Sequence, residues 1–125
     1  SRDYIKAQQV RTLAMDTFNN ILKQVDAIAT PTTACTGTPI PPDAIEMGDS
    51  DLSLLTQIMR YAFPANLTGL PAISVPVGYD SHGMPIGLQF MSGAWMEHTL
   101  FRLARVVETG VTTNQPQIYY DLLRT

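Results

Sequence analysis

Two lysines, two histidines and one cysteine are the scarce reactive groups of this 125-residue sequence, and their placement limits what chemistry it can perform by itself. A serine–lysine mechanism needs a lysine desolvated beside a serine. Lys6 and Lys23 instead fall on the polar side of an amphipathic pattern, where water keeps the ammonium charged. The segment Gln89-Phe90-Met91-Ser92-Gly93 lacks the glycine two residues before its serine, so it is no nucleophile elbow. His82 lies in turn chemistry and His98 opens a helical pattern, with no aspartate or cysteine at ligand spacing, so no metal set is expected. Asp43, Glu46, Asp49 and Asp51 form a mild acidic cluster without the alternation of a calcium loop, and read as helix capping and solubility. Cys35 follows Pro31-Thr32-Thr33-Ala34, and nothing beside it in sequence lowers its pKa. The residues therefore name no catalytic group, no metal ligand and no cofactor.

Composition narrows the class further. With 45% hydrophobic and 15% charged residues, the chain suits one well-buried globular unit rather than a disordered segment. A net charge of −3 and a pI near 5.1 leave no electrostatic footprint for nucleic acid. No lysine/arginine cluster exceeds two residues, so a polybasic membrane patch is absent, as is an apolar run of about 18 residues. The single Cys35 excludes an intrachain disulfide and suits a reducing, intracellular compartment. The start, Ser1-Arg2-Asp3-Tyr4-Ile5-Lys6, has neither an initiator Met nor a signal-peptide core, and reads as a helix cut open in a longer protein.

Several elements must position these residues. Val10, Leu13, Ala14, Phe18, Ile21, Leu22 and Val25 recur at helical spacing and predict a long amphipathic first helix. Residues 26–30 read as a short buried strand ending at Pro31. Four prolines within residues 31–51, with Gly37 and Gly48, argue against helix or central strand and predict a long loop. Asp49, Ser50 and Asp51 offer N-caps for a helix over 52–63, which is expected to end before Pro64. Residues 73–77 predict a strand whose Pro76 marks an edge or a bulge. A turn follows at 79–83, with Gly83 suited to positive φ, then a strand over 86–91 that could pair with the first as a hairpin. A helix over 96–109 carries Leu100, Leu103, Ala104 and Val107 on one stripe, and the apolar tail at 116–123 is expected to dock.

The helix over 52–63 stands out. Leu52, Leu55, Thr56, Met59 and Phe63 share one face, and Leu54, Ile58, Tyr61 and Ala62 make much of the remainder apolar. Such a helix is buried on several sides or lines a cavity. Periodicity leaves both readings open, and Met59 with Thr56 suits either.

Tyr4-Ile5-Lys6-Ala7-Gln8-Gln9-Val10-Arg11 with Phe18, then Asp26-Ala27-Ile28-Ala29-Thr30-Pro31-Thr32-Thr33, resembles the carboxy-terminal third of amidase-signature enzymes. Pro64-x-Asn66-x-x-Gly69-x-Pro71-Ala72-x-Ser74-x-Pro76-x-Gly78 and Gly83-x-Pro85-x-Gly87-x-Gln89 complete the likeness over nearly the whole chain. Ile40-Pro41-Pro42-Asp43-Ala44, Met59-Arg60 and Pro116-x-Ile118-Tyr119-Tyr120-Asp121-Leu122-Leu123 look like the plant-type fatty acid amide hydrolases. The resemblance implies an α/β fold, with a mixed sheet covered by helices on both faces. It also implies a serine–cis-serine–lysine triad in an upstream part, so residues 1–125 would form a carboxy-terminal segment without a catalytic residue.

The implied contribution of this segment is scaffold and part of a substrate pocket formed by Thr32, Leu55, Thr56, Met59 and Phe63. The implied substrate is a fatty amide such as an N-acylethanolamine, and the implied partner is the upstream part of the same enzyme. No nucleic acid is expected; a homodimer, a peripheral membrane contact and membrane association are left open. The glutamine-cleaving chains of tRNA amidotransferases are similar too. Their pattern implies an aspartate, gripping the glutamine ammonium, five residues before the proline matched by Pro64. Met59 stands there, and a thioether cannot pair with an ammonium, which favours an apolar substrate. The alternatives are another amidase-signature enzyme, such as that amidotransferase chain, and a free-standing binding or scaffold module.

Overall fold

Strand pairing organises the chain. In the computed structural model, which describes residues 2–114, β2 (Ala72–Tyr79) and β3 (Pro85–Met91) form an antiparallel hairpin. β1 (Ile28–Pro31) pairs antiparallel on the other side of β3, so the three strands lie in the order β1-β3-β2. Pro76 sits on β2, beside a register shift between Pro76 and Gly78, the bulge-and-edge setting that a residue without an N–H requires. The turn closes on Asp80. Its Oδ1 accepts from the N–H groups of His82 (2.8 Å) and Met84 (2.9 Å), while Gly83 takes φ +80°.

Five helices flank the strands. α1 (Arg2–Leu22) confirms the first amphipathic pattern, yet its stripe is only partly covered. Ala14, Phe18 and Leu22 are half-buried, whereas Val10 and Leu13 remain 60% and 68% exposed. α1 packs against α4 (Phe63–Thr68), and Arg11 Nε donates to the Leu67 carbonyl at 2.8 Å. α5 (Glu97–Gly110) packs on β2 and the adjoining part of β3 and buries Leu100. The core is small: Ala65, Val75, Met91 and Leu100 are its buried apolar members among the described residues.

Two sequence expectations fail for local reasons. The proline-rich stretch contains a helical turn, α2 (Ala44–Met47), because the last proline is Pro42 and the next glycine is Gly48. The residues between them are free to coil, and Gly48 ends the turn at φ +74°. The expected helix over 52–63 is instead α3 (Leu52–Met59), followed by a turn and by α4. Pro64 occupies the first turn of α4 rather than ending a helix. Its missing N–H costs nothing there, since the first turn has no intrahelical acceptor to meet. Gly69, at φ +76°, caps α4. The N-cap of α3 is Asp51, whose Oδ1 accepts from Leu54 N–H at 2.9 Å. α3 has no fully buried residue: Leu54, Ile58 and Met59 are half-buried, while Leu52 and Leu55 stay 73% and 53% exposed, so the surface expected to be enclosed is only partly covered among the described residues. The tail at 116–123 lies outside the described residues.

Candidate functional site

Strand register gathers the polar groups. Because side chains alternate across a strand, Thr30 of β1, Gln89 of β3 and Ser74 of β2, which are register partners, share one sheet face. One step along β3, Gly87 shares that face, and Thr32 N–H extends the ladder by donating to the Gly87 carbonyl at 2.9 Å. The Thr32 and Ser74 hydroxyls meet above Gly87 in a short hydrogen bond. Glycine is required for that meeting: a Cβ on Gly87 would lie 2.6 Å from Thr32 Oγ1 and 3.2 Å from Ser74 Oγ. In such a pair one hydroxyl donates and the other keeps its proton, so the pair retains a free O–H donor for an outside acceptor.

Gln89 is the buried member of this row, at 7% exposure. Its Nε2 donates to Thr30 Oγ1 (3.2 Å) and to the Tyr61 carbonyl (2.9 Å), which ties the turn between α3 and α4 to the sheet. Beyond the row, Thr36 Oγ1 donates to Asp80 Oδ2 at 2.7 Å. That bond, then the N–H of Met84 and that of His82, hold the Asp80 carboxyl below the ordinary aspartate range. Lys23 Nζ donates to Asn20 Oδ1 at 3.1 Å, an exposed contact at the end of α1.

Among the described residues, the five residues expected to line a pocket fall in separate places. Thr32 lies at the end of β1 on the polar row, flanked by a cleft of about 160 Å³ that includes Pro31, Thr33, Cys35 and Gly87. Leu55 lines an open cleft of about 300 Å³ with Leu52, Leu54 and Ile58. The Thr56 hydroxyl is turned back to the Leu52 carbonyl at 2.8 Å. Met59 ends α3 and Phe63 begins α4, on either side of Tyr61. The bond from Gln89 to Tyr61 therefore connects the Met59–Phe63 segment to the face that carries Thr32.

Thr30, Ser74, Gly87 and Gln89 were missed as site residues by sequence reasoning. A signal was present: polar or side-chain-free residues at alternate positions of three apolar strands. Within any one strand these positions stand alone; only register aligns the three.

Comparison with known proteins gives the family. The Amidase family model matches residues 1–101. The chain is 50% identical over 124 residues to the fatty acid amide hydrolase of Arabidopsis thaliana, covering 98% of this chain and 20% of that protein. It is 43% identical over 118 residues to a glutamyl-tRNA(Gln) amidotransferase chain of Synechococcus sp. strain RCC307, covering 91% and 23%. The crystal structure of the corresponding glutamyl-tRNA(Gln) amidotransferase chain from Thermotoga maritima superposes with a TM-score of 0.75 at 37% identity, covering 90% of this chain and 23% of that one. The chain thus spans about one fifth of the length of the curated relatives it matches. An α/β arrangement that matches a solved amidotransferase chain, and a family match across four-fifths of the sequence, carry one conclusion: the chain belongs to the amidase family.

Proposed function

We propose that this chain is the carboxy-terminal segment of a serine amidohydrolase that cleaves the amide bond of fatty acid amides such as N-acylethanolamines. The observation that carries the reading is the 50% identity to a plant fatty acid amide hydrolase over 98% of the chain. Met59, an apolar group beside the α3–α4 turn, supports an acyl-chain substrate over one with an ammonium. The exposed apolar residues of α1 and α3 support a segment covered by the remainder of a larger enzyme. In this reading the segment contributes scaffold and one wall of the substrate site, while the nucleophile and its base lie in the remainder.

The test is hydrolysis of a long-chain N-acylethanolamine and of glutamine by the whole protein, with the 125-residue segment assayed alone. Expected is cleavage of the fatty amide by the whole protein and none by the segment. Cleavage of glutamine alone would move the assignment to a tRNA amidotransferase, to which 43% identity gives the next support. Turnover by the isolated segment would refute the division of labour.

A further inference from the structure

We propose that Gln89 is a specificity-determining positioning residue, whose amide holds the α3–α4 turn against the sheet and so sets the acyl-facing wall at Met59 and Phe63. This rests on the fatty amide reading above for the identity of the substrate, but its structural half stands on geometry alone.

Gln89 is more than nine-tenths buried, and a buried primary amide is costly unless its polar atoms find partners. Its NH2 group has two protons, and both are used. One goes to Thr30 Oγ1 on the neighbouring strand at 3.2 Å, the other to the Tyr61 carbonyl at 2.9 Å. The first bond fixes the amide plane relative to β1; the second reaches across to a different layer. Among the described residues, this is the hydrogen bond that joins the α3–α4 turn to the sheet. The turn itself is short: Ala62 N–H donates to the Met59 carbonyl at 3.0 Å, and α4 starts at Phe63. Met59 and Phe63 are each two residues from Tyr61, so a turn released from Gln89 carries both with it.

The same side chain therefore couples two surfaces. On the sheet it neighbours Ser74 in register, whose hydroxyl engages Thr32. On the helical side it sets the depth of an apolar wall. A substrate that presents a polar amide to the first and an alkyl chain to the second is measured by the distance between them. Gln89 touches neither substrate part in this arrangement. It acts through Tyr61.

The experiment uses the whole enzyme carrying Gln89→Met, which keeps similar length and removes both donors. Two readouts are taken: the ratio of kcat/KM for long-chain over short-chain amides, and hydrogen exchange of the peptide containing residues 59–63. Expected is a loss of about tenfold in the long-over-short ratio, carried by KM, the order of one lost buried hydrogen bond. Faster exchange at 59–63 should accompany it. Leu100→Ala, a core truncation in α5, serves as the destabilised control and should lower thermal stability without moving the ratio. Gln89→Asn keeps the amide but is one methylene too short for both acceptors, and should shift the ratio in the same direction by less. It also serves if the Met variant does not fold.

Unchanged exchange at 59–63 in a folded Gln89 variant would overturn the positioning role. Faster exchange with an unchanged ratio, or the same ratio change in Leu100→Ala, would overturn the specificity role. A wild-type enzyme inactive on every fatty amide would instead sink the substrate reading, while the exchange measurement still decides whether Gln89 holds the turn.

Discussion

Gly87→Ala adds a single methyl at the point where three strands of polar groups converge. The backbone of Gly87 is outside the left-handed region, so alanine meets no conformational penalty and gains about 0.4–1 kcal/mol from a stiffer unfolded chain. The new Cβ, however, would stand 2.6 Å from Thr32 Oγ1, 3.0 Å from Thr32 Cβ and 3.2 Å from Ser74 Oγ. The threonine is β-branched and stiff, and it is held by its own N–H to the Gly87 carbonyl, so it cannot simply swing away. Overpacking of this kind costs about 1–3 kcal/mol, and separating the Thr32 and Ser74 hydroxyls forfeits about 0.5–1.5 kcal/mol more. The net expectation is a loss of about 0.5–4 kcal/mol, centred near 2 kcal/mol. The curated relatives are about five times the length of this chain, and proteins of that size need not unfold in one step, so the assay is native-state hydrogen exchange at the Thr32 amide. Exchange should accelerate by roughly thirtyfold at the centre of that range. Thr32→Gly removes both close atoms of that side chain, and in its background Gly87→Ala should cost at least about 1 kcal/mol less. An equal cost in both backgrounds would refute the steric argument.

Two further substitutions test the local chemistry. Asp80→Asn should destabilise the β2–β3 turn at neutral pH, since the native carboxyl sits below its ordinary range and its contribution is present above about pH 4. That contribution is lost as pH falls through the folded value, so the two proteins should converge in turn protection under acid; exchange of the Met84 amide from about pH 3 to 7 measures it, and a pH-independent difference would contradict the assignment. Asp51→Ala should cost α3 about 1 kcal/mol by orphaning Leu54 N–H, read as faster exchange at that amide, whereas Asp51→Asn or Asp51→Ser should restore most of it.

Legibility followed the range of the interaction. Asp51 as a cap, Gly83 in its turn, Pro76 at a bulge and the stripe of α5 are each decided within a few residues, and each is readable from them. Pro64 misleads because proline is excluded from a helix interior yet favoured in a first turn, and only the position of the next helix tells the two apart. The helical turn at Ala44–Met47 is hidden when a short unbroken stretch is averaged with the prolines before it. The polar row escapes altogether. Thr30, Ser74 and Gln89 are separated by 44 and 15 residues along the chain and become neighbours only through register.

The first and last helices, the succession of strands, the Asp51 cap, the Gly83 turn and the family likeness were determined by the sequence alone, because each rests on residue types at short fixed spacings. Tertiary structure decided the rest. It set Gly87 beneath two hydroxyls, ran the Gln89 amide from the sheet to Tyr61, and left much of the α1 and α3 apolar surface uncovered. Those outcomes depend on which strands pair, and in what register. One residue of slip would turn Gln89 to the opposite face, and no spacing within a single strand records that choice.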